Sequence, residues 1–415
     1  MVETLTAKDE WRAGWSLAVA CLAGMVVTSV AVYTIGALTA PIEKEFGWSR
    51  AQITFGLTIS TLLGAVLSPI VGLMLDRWGP RRIALPGAVM ALSGIAMLSL
   101  ATSSYALWMF LWFCISLGSV GVKPTVWTMA VASSFDKSRG LAMALALCGS
   151  SVAALTMPML SIRLIDAYGW RSAVPMVCAI VGVVILPILY FGLHSQADAV
   201  RRRGAKAAEP AKVVTGVANV RQALFSPQFI KLSAAAFIFT VCALGLVTNM
   251  IPILTSLHFS RTEIGAIAGL VGVASFSGRM LTGFLIDRYN SNVVAGLTVL
   301  LPLATCFLLL QADGSVLLAS IAVFLFGLSY GAEVDVVAYL AAEKFGMARY
   351  GTIFGFVTAS WYLATATGPV LTSLAYDMTG SYQVAIKVAI PLFALVSLLL
   401  FTLGKPLPFD EPAQE

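Results

Sequence analysis

The sequence predicts an all-α integral membrane protein with twelve transmembrane helices in two pseudo-symmetric six-helix bundles. Three observations predict it. The 415 residues are 59% hydrophobic and only 11% charged, whereas a soluble domain carries about 25% charged residues. Apolar runs long enough to cross a bilayer recur along the chain, and lysine and arginine gather in alternate links between them. A soluble chain this apolar could not cover its surface with polar groups, so the surface calls for lipid.

A membrane helix needs about 20 apolar residues. That window places spans at 13–38, 50–74, 83–103, 105–131, 138–164 and 171–193, then at 228–255, 262–284, 292–311, 315–341, 349–375 and 382–403. The first run is too long for a signal-peptide core and lacks a small-residue cleavage site, so it is read as a span. One long polar stretch, 195–227, holds Arg201, Arg202, Arg203, Lys206, Lys212 and Arg221. It divides the chain into an N-terminal six-helix bundle, 1–194, a cytoplasmic linker, 195–227, and a C-terminal six-helix bundle, 228–415.

Basic residues set the orientation. With both termini in the cytoplasm, eighteen lie on that side, from Lys8 to Lys405. Six lie outside: Lys44, Arg50, Arg163, Arg171, Arg261 and Lys387. That is the positive-inside bias, and the expected location is a plasma membrane, the inner membrane of a bacterium. Topology thus explains the net charge of +6 without nucleic acid.

Other chemistries lack their parts. Cys21, Cys114, Cys148, Cys178, Cys242 and Cys306 lie in apolar stretches without CxxC spacing, and read as small buried hydrophobes. His194 and His258 sit at the ends of apolar runs, which leaves little for a metal site. No phosphate-cradling Gly-Lys loop or nucleophile elbow is present. An enzyme, a metal and a cofactor are not expected. A receptor would need an output domain or an unusually long loop.

The two halves echo each other. Gly72-Leu-Met-Leu-Asp76-Arg77 recurs as Gly283-Phe-Leu-Ile-Asp287-Arg288, an offset of 211. Gly121, Lys123, Phe135 and Arg139 recur as Gly331, Glu333, Phe345 and Arg349, an offset of 210. Asp166 and Gly169 recur as Asp377 and Gly380. The shared offset marks a duplication. Transporters built this way bind substrate between the halves, near mid-membrane.

Gly72-Leu-Met-Leu-Asp76-Arg77-Trp-Gly79-Pro-Arg81-Arg82 resembles the loop between the second and third helices of the major facilitator superfamily. Phe135-Asp-Lys137-Ser-Arg139-Gly-Leu141-Ala142, followed by Gly149-Ser150, resembles the fifth-helix motif of monocarboxylate transporters. Glu10-Trp11-Arg12-Ala13-Gly14-Trp15 is similar to their first-helix motif in degenerate form. The oxalate–formate antiporters are a near relative of that branch. Two departures stand out. The eighth-helix motif pairs an aspartate with an arginine four residues later; here the arginine is Arg279, but the aspartate position is Ser275. The first-helix lysine is missing. Both groups serve proton coupling in that family, so this chain couples differently or does without protons.

Four ionisable residues fall inside predicted spans: Lys123, Arg279, Glu333 and Asp335. A charge at mid-membrane costs about 2.5–3.5 kcal/mol. Arg279 offers a fork that fits a carboxylate; it is either an anion anchor or a structural arginine bonded to carbonyls. Lys123 precedes Pro124, which can bend the fourth span toward a cavity. It is a second substrate contact or the salt-bridge partner of Glu333 or Asp335. Of the acids, which point to different faces, Glu333 is favoured as the proton carrier because its repeat partner is Lys123. The resemblance makes Asp76, Arg77, Asp287 and Arg288 gate residues, with Arg139 and Arg349 as candidate partners at helix starts. Tyr33, Tyr330, Trp361 and Tyr362 could line a pocket, as could Trp127.

The resemblance implies a secondary carrier for a small, monocarboxylate-like organic anion, symporting protons by alternating access. Carboxylate exchange is the alternative, and drug efflux is disfavoured by Arg279 and Lys123. The expected partners are a small carboxylate, protons and the bilayer, and a monomer is expected.

Overall fold

The computed structural model describes residues 6–198, 220–257 and 259–407. His258 and most of the expected linker, including Arg201, Arg202, Arg203, Lys206 and Lys212, lie outside the described residues.

Several helices begin at a capping residue or a proline. The first, α1 (Ala7–Phe46), is opened by a capping box. The Asp9 carboxylate accepts the Thr6 N–H at 3.1 Å, and Thr6 Oγ1 accepts the Asp9 N–H at 3.3 Å. At 40 residues it is about 60 Å long, so it overshoots the apolar run at both ends. Helix α2 (Arg50–Trp78) is capped by Ser49. Helix α3 (Pro80–Ala96) starts on Pro80, a favoured first helical residue.

The fourth span is broken. Helix α4 (Tyr105–Gly118) passes through a 3-10 turn at Ser119–Val122 and restarts as α5 (Pro124–Ala132). Lys123 therefore lies outside the helices, in extended backbone at φ −68°, ψ 155°. A residue before proline is driven out of the helical region, so Pro124 interrupts the span instead of merely bending it. The fifth span is likewise two pieces, α6 (Arg139–Leu147) and α7 (Gly149–Tyr168), and α8 (Trp170–Gly192) is the sixth.

After a short helix, α9 (Val220–Leu224), the seventh span is α10 (Pro227–Thr248), continued by α11 (Met250–Ser256). Helix α12 (Arg261–Ile286) opens on a second capping box, from Ser260 and Glu263. Helices α13 (Ser291–Gln311), α14 (Val316–Phe345), α15 (Tyr350–Thr379) and α16 (Gln383–Phe401) follow. Eleven described helical segments are long and apolar enough to cross a membrane. Helix α15 completes the twelve in chain order; its 30 residues are long enough but rich in threonine, glycine and alanine.

Contacts divide the chain into two units. One comprises Met1–Thr215, Met347–Phe356 and Glu411–Glu415, and the other Gly216–Gly346 and Val357–Asp410. In the first, α1 packs on α7 and α8, and α3 on α8. Its core holds Trp108, Trp112, Trp127 and Phe135. In the second, α12 packs on α14, and α13 on α14 and α16. Leu155, Val183 and Phe191 are about three-quarters exposed, an outward apolar face suited to hydrocarbon. The cysteines are free, and all but the half-buried Cys114 are buried. The repeat is visible in the backbone: Gly169 and Gly380 end α7 and α15 at φ 74° and 69°, left-handed values that glycine adopts without strain.

Candidate functional site

Arg279 and Asp335 are brought together by the close approach of α12 and α14. A Cβ on Gly331 would lie 2.0 Å from the Ser275 carbonyl oxygen, and one on Gly278 2.0 Å from that of Leu328. Only the missing side chains allow this approach. Asp335 lies one turn beyond Gly331, and Arg279 one turn beyond Ser275, on the same helix faces. Arg279 Nη1 donates to Asp335 Oδ1 at 2.6 Å, with side-chain exposures of 10% and 4%.

The expectation of an anion anchor is thereby altered, because the guanidinium already holds a carboxylate. The acid missing at Ser275 is supplied from a different helix. The bond is single and end-on. Arg279 Nε and Asp335 Oδ2 are buried and have no hydrogen-bond partner among the described residues.

Glu333 faces elsewhere, as two residues' separation on a helix requires. Thr240 Oγ1 on α10 lies 2.5 Å from Glu333 Oε1 and 2.7 Å from the Ala236 carbonyl oxygen. Glu333 and Ser329 line a cavity completed by Ala236 and Phe239 of α10, Thr298 of α13 and Val396 of α16. Nearby, Tyr330 stacks on Phe326 at 5.7 Å, and Trp361 and Tyr362 pack together at 5.5 Å, each half-buried.

The first unit holds the remaining expected residues. Lys123 is half-buried at the break before α5, and Tyr33 is half-buried on α1. Trp127, a candidate pocket aromatic, is fully buried. Its indole N–H points to Thr28 Oγ1 at 3.0 Å and the Val122 carbonyl at 3.1 Å. It pins the broken span to α1.

The gate candidates sit at helix ends. Asp76, at the end of α2, accepts from the N–H groups of Gly351 at 2.9 Å and Thr352 at 2.8 Å, and from the Thr352 hydroxyl at 2.5 Å. Its carboxylate thus sits on the positive start of α15. Arg139 donates to Asp136 at 3.0 Å and to the Phe135 carbonyl, and Arg349 is exposed in the turn before α15. Arg77 lies 6.0 Å from the Trp78 ring centroid, Arg288 lies 3.5 Å from that of Phe284, and Asp287 caps α12.

Glu10 opens the first-span motif. Buried, it accepts the N–H groups of Asp136, Lys137 and Ser138 at 3.1–3.2 Å. Trp11 packs on Phe135 at 5.2 Å. The first-span and fifth-span motifs are therefore one joint, a fact signalled only by their both being motifs. Arg81, from the loop signature, donates to the Tyr190 and Leu193 carbonyls at 2.7 and 2.9 Å, satisfying the end of α8. Among the described residues no three His, Cys, Asp or Glu side chains could hold a metal ion.

Two apolar units of spanning helices, a duplicated chain and charges buried between helices define a multi-pass membrane transporter. The chain belongs to the Major Facilitator Superfamily, whose profile matches residues 19–369. It is a transporter, not an enzyme, and its resemblance to monocarboxylate transporters holds. Monocarboxylate transporter 13 of Rattus norvegicus is 22% identical over 379 residues, covering 91% of this chain and 85% of that one. The Fujikurins efflux protein of Gibberella fujikuroi is 27% identical over 321 residues, covering 76% of this chain and 64% of that one. The structure of the proton:xylose symporter XylE matches 94% of this chain and 95% of its own, with TM-score 0.70 and 15% identity, a likeness of fold.

Proposed function

We propose that the chain is a secondary active carrier of a small organic anion, coupled to protons by symport and working by alternating access. One observation carries the reading: a buried guanidinium held by a single bond to a carboxylate on another helix. A substrate carboxylate competes with Asp335 for Arg279. A proton on Asp335 removes its charge and releases the guanidinium, so proton and anion favour each other's binding. Glu333 is a second proton carrier. Lys123, Tyr33, Tyr330, Trp361 and Tyr362 remain candidate substrate contacts. Asp76, Arg77, Asp287, Arg288, Arg139 and Arg349 remain candidate gate residues. The protein acts as a monomer of two bundles, 1–194 and 228–415, joined at 195–227.

Uptake of labelled carboxylates into proteoliposomes under an inward proton gradient tests this. Arg279→Ala abolishes uptake and Arg279→Lys retains part of it, since lysine keeps the charge without the fork. Uptake by Arg279→Ala at unchanged affinity removes the anchor. Counterflow indifferent to the pH gradient replaces symport with exchange.

A second reading, export of uncharged amphiphiles, is favoured by the neutralisation of Arg279 by Asp335 and by the similarity to a fungal efflux protein. It requires transport of an uncharged compound to survive Arg279→Ala.

A further inference from the structure

We infer that the second unit binds an anionic phospholipid in a polar cavity where α13 begins and α14 and α16 end. Lys344 and Lys405 take the phosphate, and Asn292 takes a hydroxyl of the headgroup.

Three helix ends meet there, on the face proposed to be cytoplasmic. Asn292 comes from the start of α13, Glu343 and Lys344 from the last turn of α14, and Phe401 ends α16 shortly before Lys405. The cavity measures about 380 Å³, within the range of small-ligand sites. The chain that leaves α16 is pinned around it. Lys231 Nζ donates to the Thr402 carbonyl at 2.6 Å, and the Leu407 N–H donates to the Lys344 carbonyl at 3.0 Å.

The polar groups in the wall are incompletely used. The Lys344 side chain is 3% exposed, and a buried ammonium is costly unless its charge and donors are met. It has three N–H donors. One goes to Glu343 Oε1 at 3.2 Å, and among the described residues no other acceptor meets it. Glu343, the acid in the wall, is engaged by that ammonium and by the Ser291 hydroxyl. Two lysines against one glutamate leave the wall positive, and a phosphate supplies the acceptors that Lys344 lacks. Asn292 Oδ1 is buried and has no hydrogen-bond partner among the described residues. Its orientation is fixed, because Nδ2 donates to the Gly404 carbonyl at 3.2 Å. That oxygen needs a donor. An ionised phosphodiester has none, so the hydroxyl must stand beside the phosphate.

The surface next to the cavity favours a lipid over a soluble phosphate compound. One to two turns away, Leu297 of α13 and Leu398 of α16 are 53% and 57% exposed, and Phe401 is 40% exposed. The two helices touch at this level: the Ser397 hydroxyl donates to the Gly296 carbonyl at 2.9 Å. A positive cavity bordered by exposed apolar side chains matches the headgroup and acyl chains of one molecule, and basic pockets between span ends suit anionic headgroups.

Thermal unfolding of the purified full chain in detergent tests the site. The probes are phosphatidylglycerol, phosphatidic acid and phosphatidylcholine of matched acyl chains, and glycerol 3-phosphate. Phosphatidylglycerol is expected to raise the unfolding temperature at the lowest concentration. Phosphatidylcholine, which carries no net charge, and glycerol 3-phosphate, which carries no chains, are expected to leave it unchanged. Lys344→Gln and Lys405→Glu are each expected to raise the half-saturating concentration about tenfold. Lys8→Glu, which reverses an exposed charge of the first unit, is expected to leave it unmoved. Lys405 is exposed, so its variant decides the matter if Lys344→Gln fails to fold. Asn292→Leu is expected to erase the preference for phosphatidylglycerol over phosphatidic acid, whose headgroup has no glycerol hydroxyl. Equal protection by phosphatidylcholine, or equal effects of Lys8→Glu and Lys405→Glu, overturns the site. Protection by glycerol 3-phosphate at the same concentration overturns the lipid and makes the ligand a soluble phosphate compound.

Discussion

Arg279 shows what a membrane does to a single side chain. Its charge is affordable only because Asp335 meets it, and removing one partner of a buried pair typically costs about 3–5 kcal/mol. Asp335→Asn is therefore expected to lower the thermal unfolding temperature of the purified protein sharply. Replacing both residues with apolar ones of similar size, Arg279→Met with Asp335→Leu, is expected to restore stability while abolishing carboxylate uptake. Stability that stays low in the double variant would mean the pair contributes more than charge compensation. The four intramembrane charges were legible as expensive residues needing partners. The partners were not legible, because Arg279 meets Asp335 across 56 positions and Thr240 meets Glu333 across 93. Such meetings depend on helix rotation, which hydropathy does not encode. Trp127 shows a related limit: an aromatic in a membrane span looks the same in sequence whether it packs or lines a pocket.

At the scale of the helix, the α12–α14 contact depends on backbone reaching backbone. Gly331→Ala puts a methyl 2.0 Å from a carbonyl oxygen and must force the helices apart. Thermal unfolding and cross-linking of introduced cysteines at the Arg279 level are expected to show both lost stability and a widened pair. Gly265→Ala, on the same α12, meets nothing within 4 Å and is expected to be neutral or slightly stabilising, since alanine favours helix. Equal effects from the two would show that helix propensity, not proximity, decides. Most helix boundaries were readable to within a few residues, because Ser49, Pro80, Ser226 and Ser260 are cap or start residues in the sequence itself. The early start of α1 escaped because its first turns, from Ala7 to Arg12, are polar and fall outside an apolar window. The break at Lys123 was readable as a proline effect, though its depth was not.

For the whole molecule, the proposed cytoplasmic placement of both termini makes a direct prediction. A fluorescent protein that matures only in the cytoplasm, fused after Glu415, is expected to glow in intact cells, and an enzyme that works only outside is expected to be silent there. The reverse pattern would invert the topology. Duplication was legible at this scale because the repeat preserves backbone-critical positions such as Gly169 and Gly380. The halves differ where their charges differ: Lys123 in one corresponds to Glu333 in the other. Glu10 carries a practical corollary. Its carboxylate gathers three successive amide groups at the start of α6, so the stretch ahead of the first bilayer crossing is a mooring line for the folded body. Shortening the chain to begin within the apolar run would cast those amides adrift, and expression designs that trim the polar leader would weaken the protein they aim to simplify.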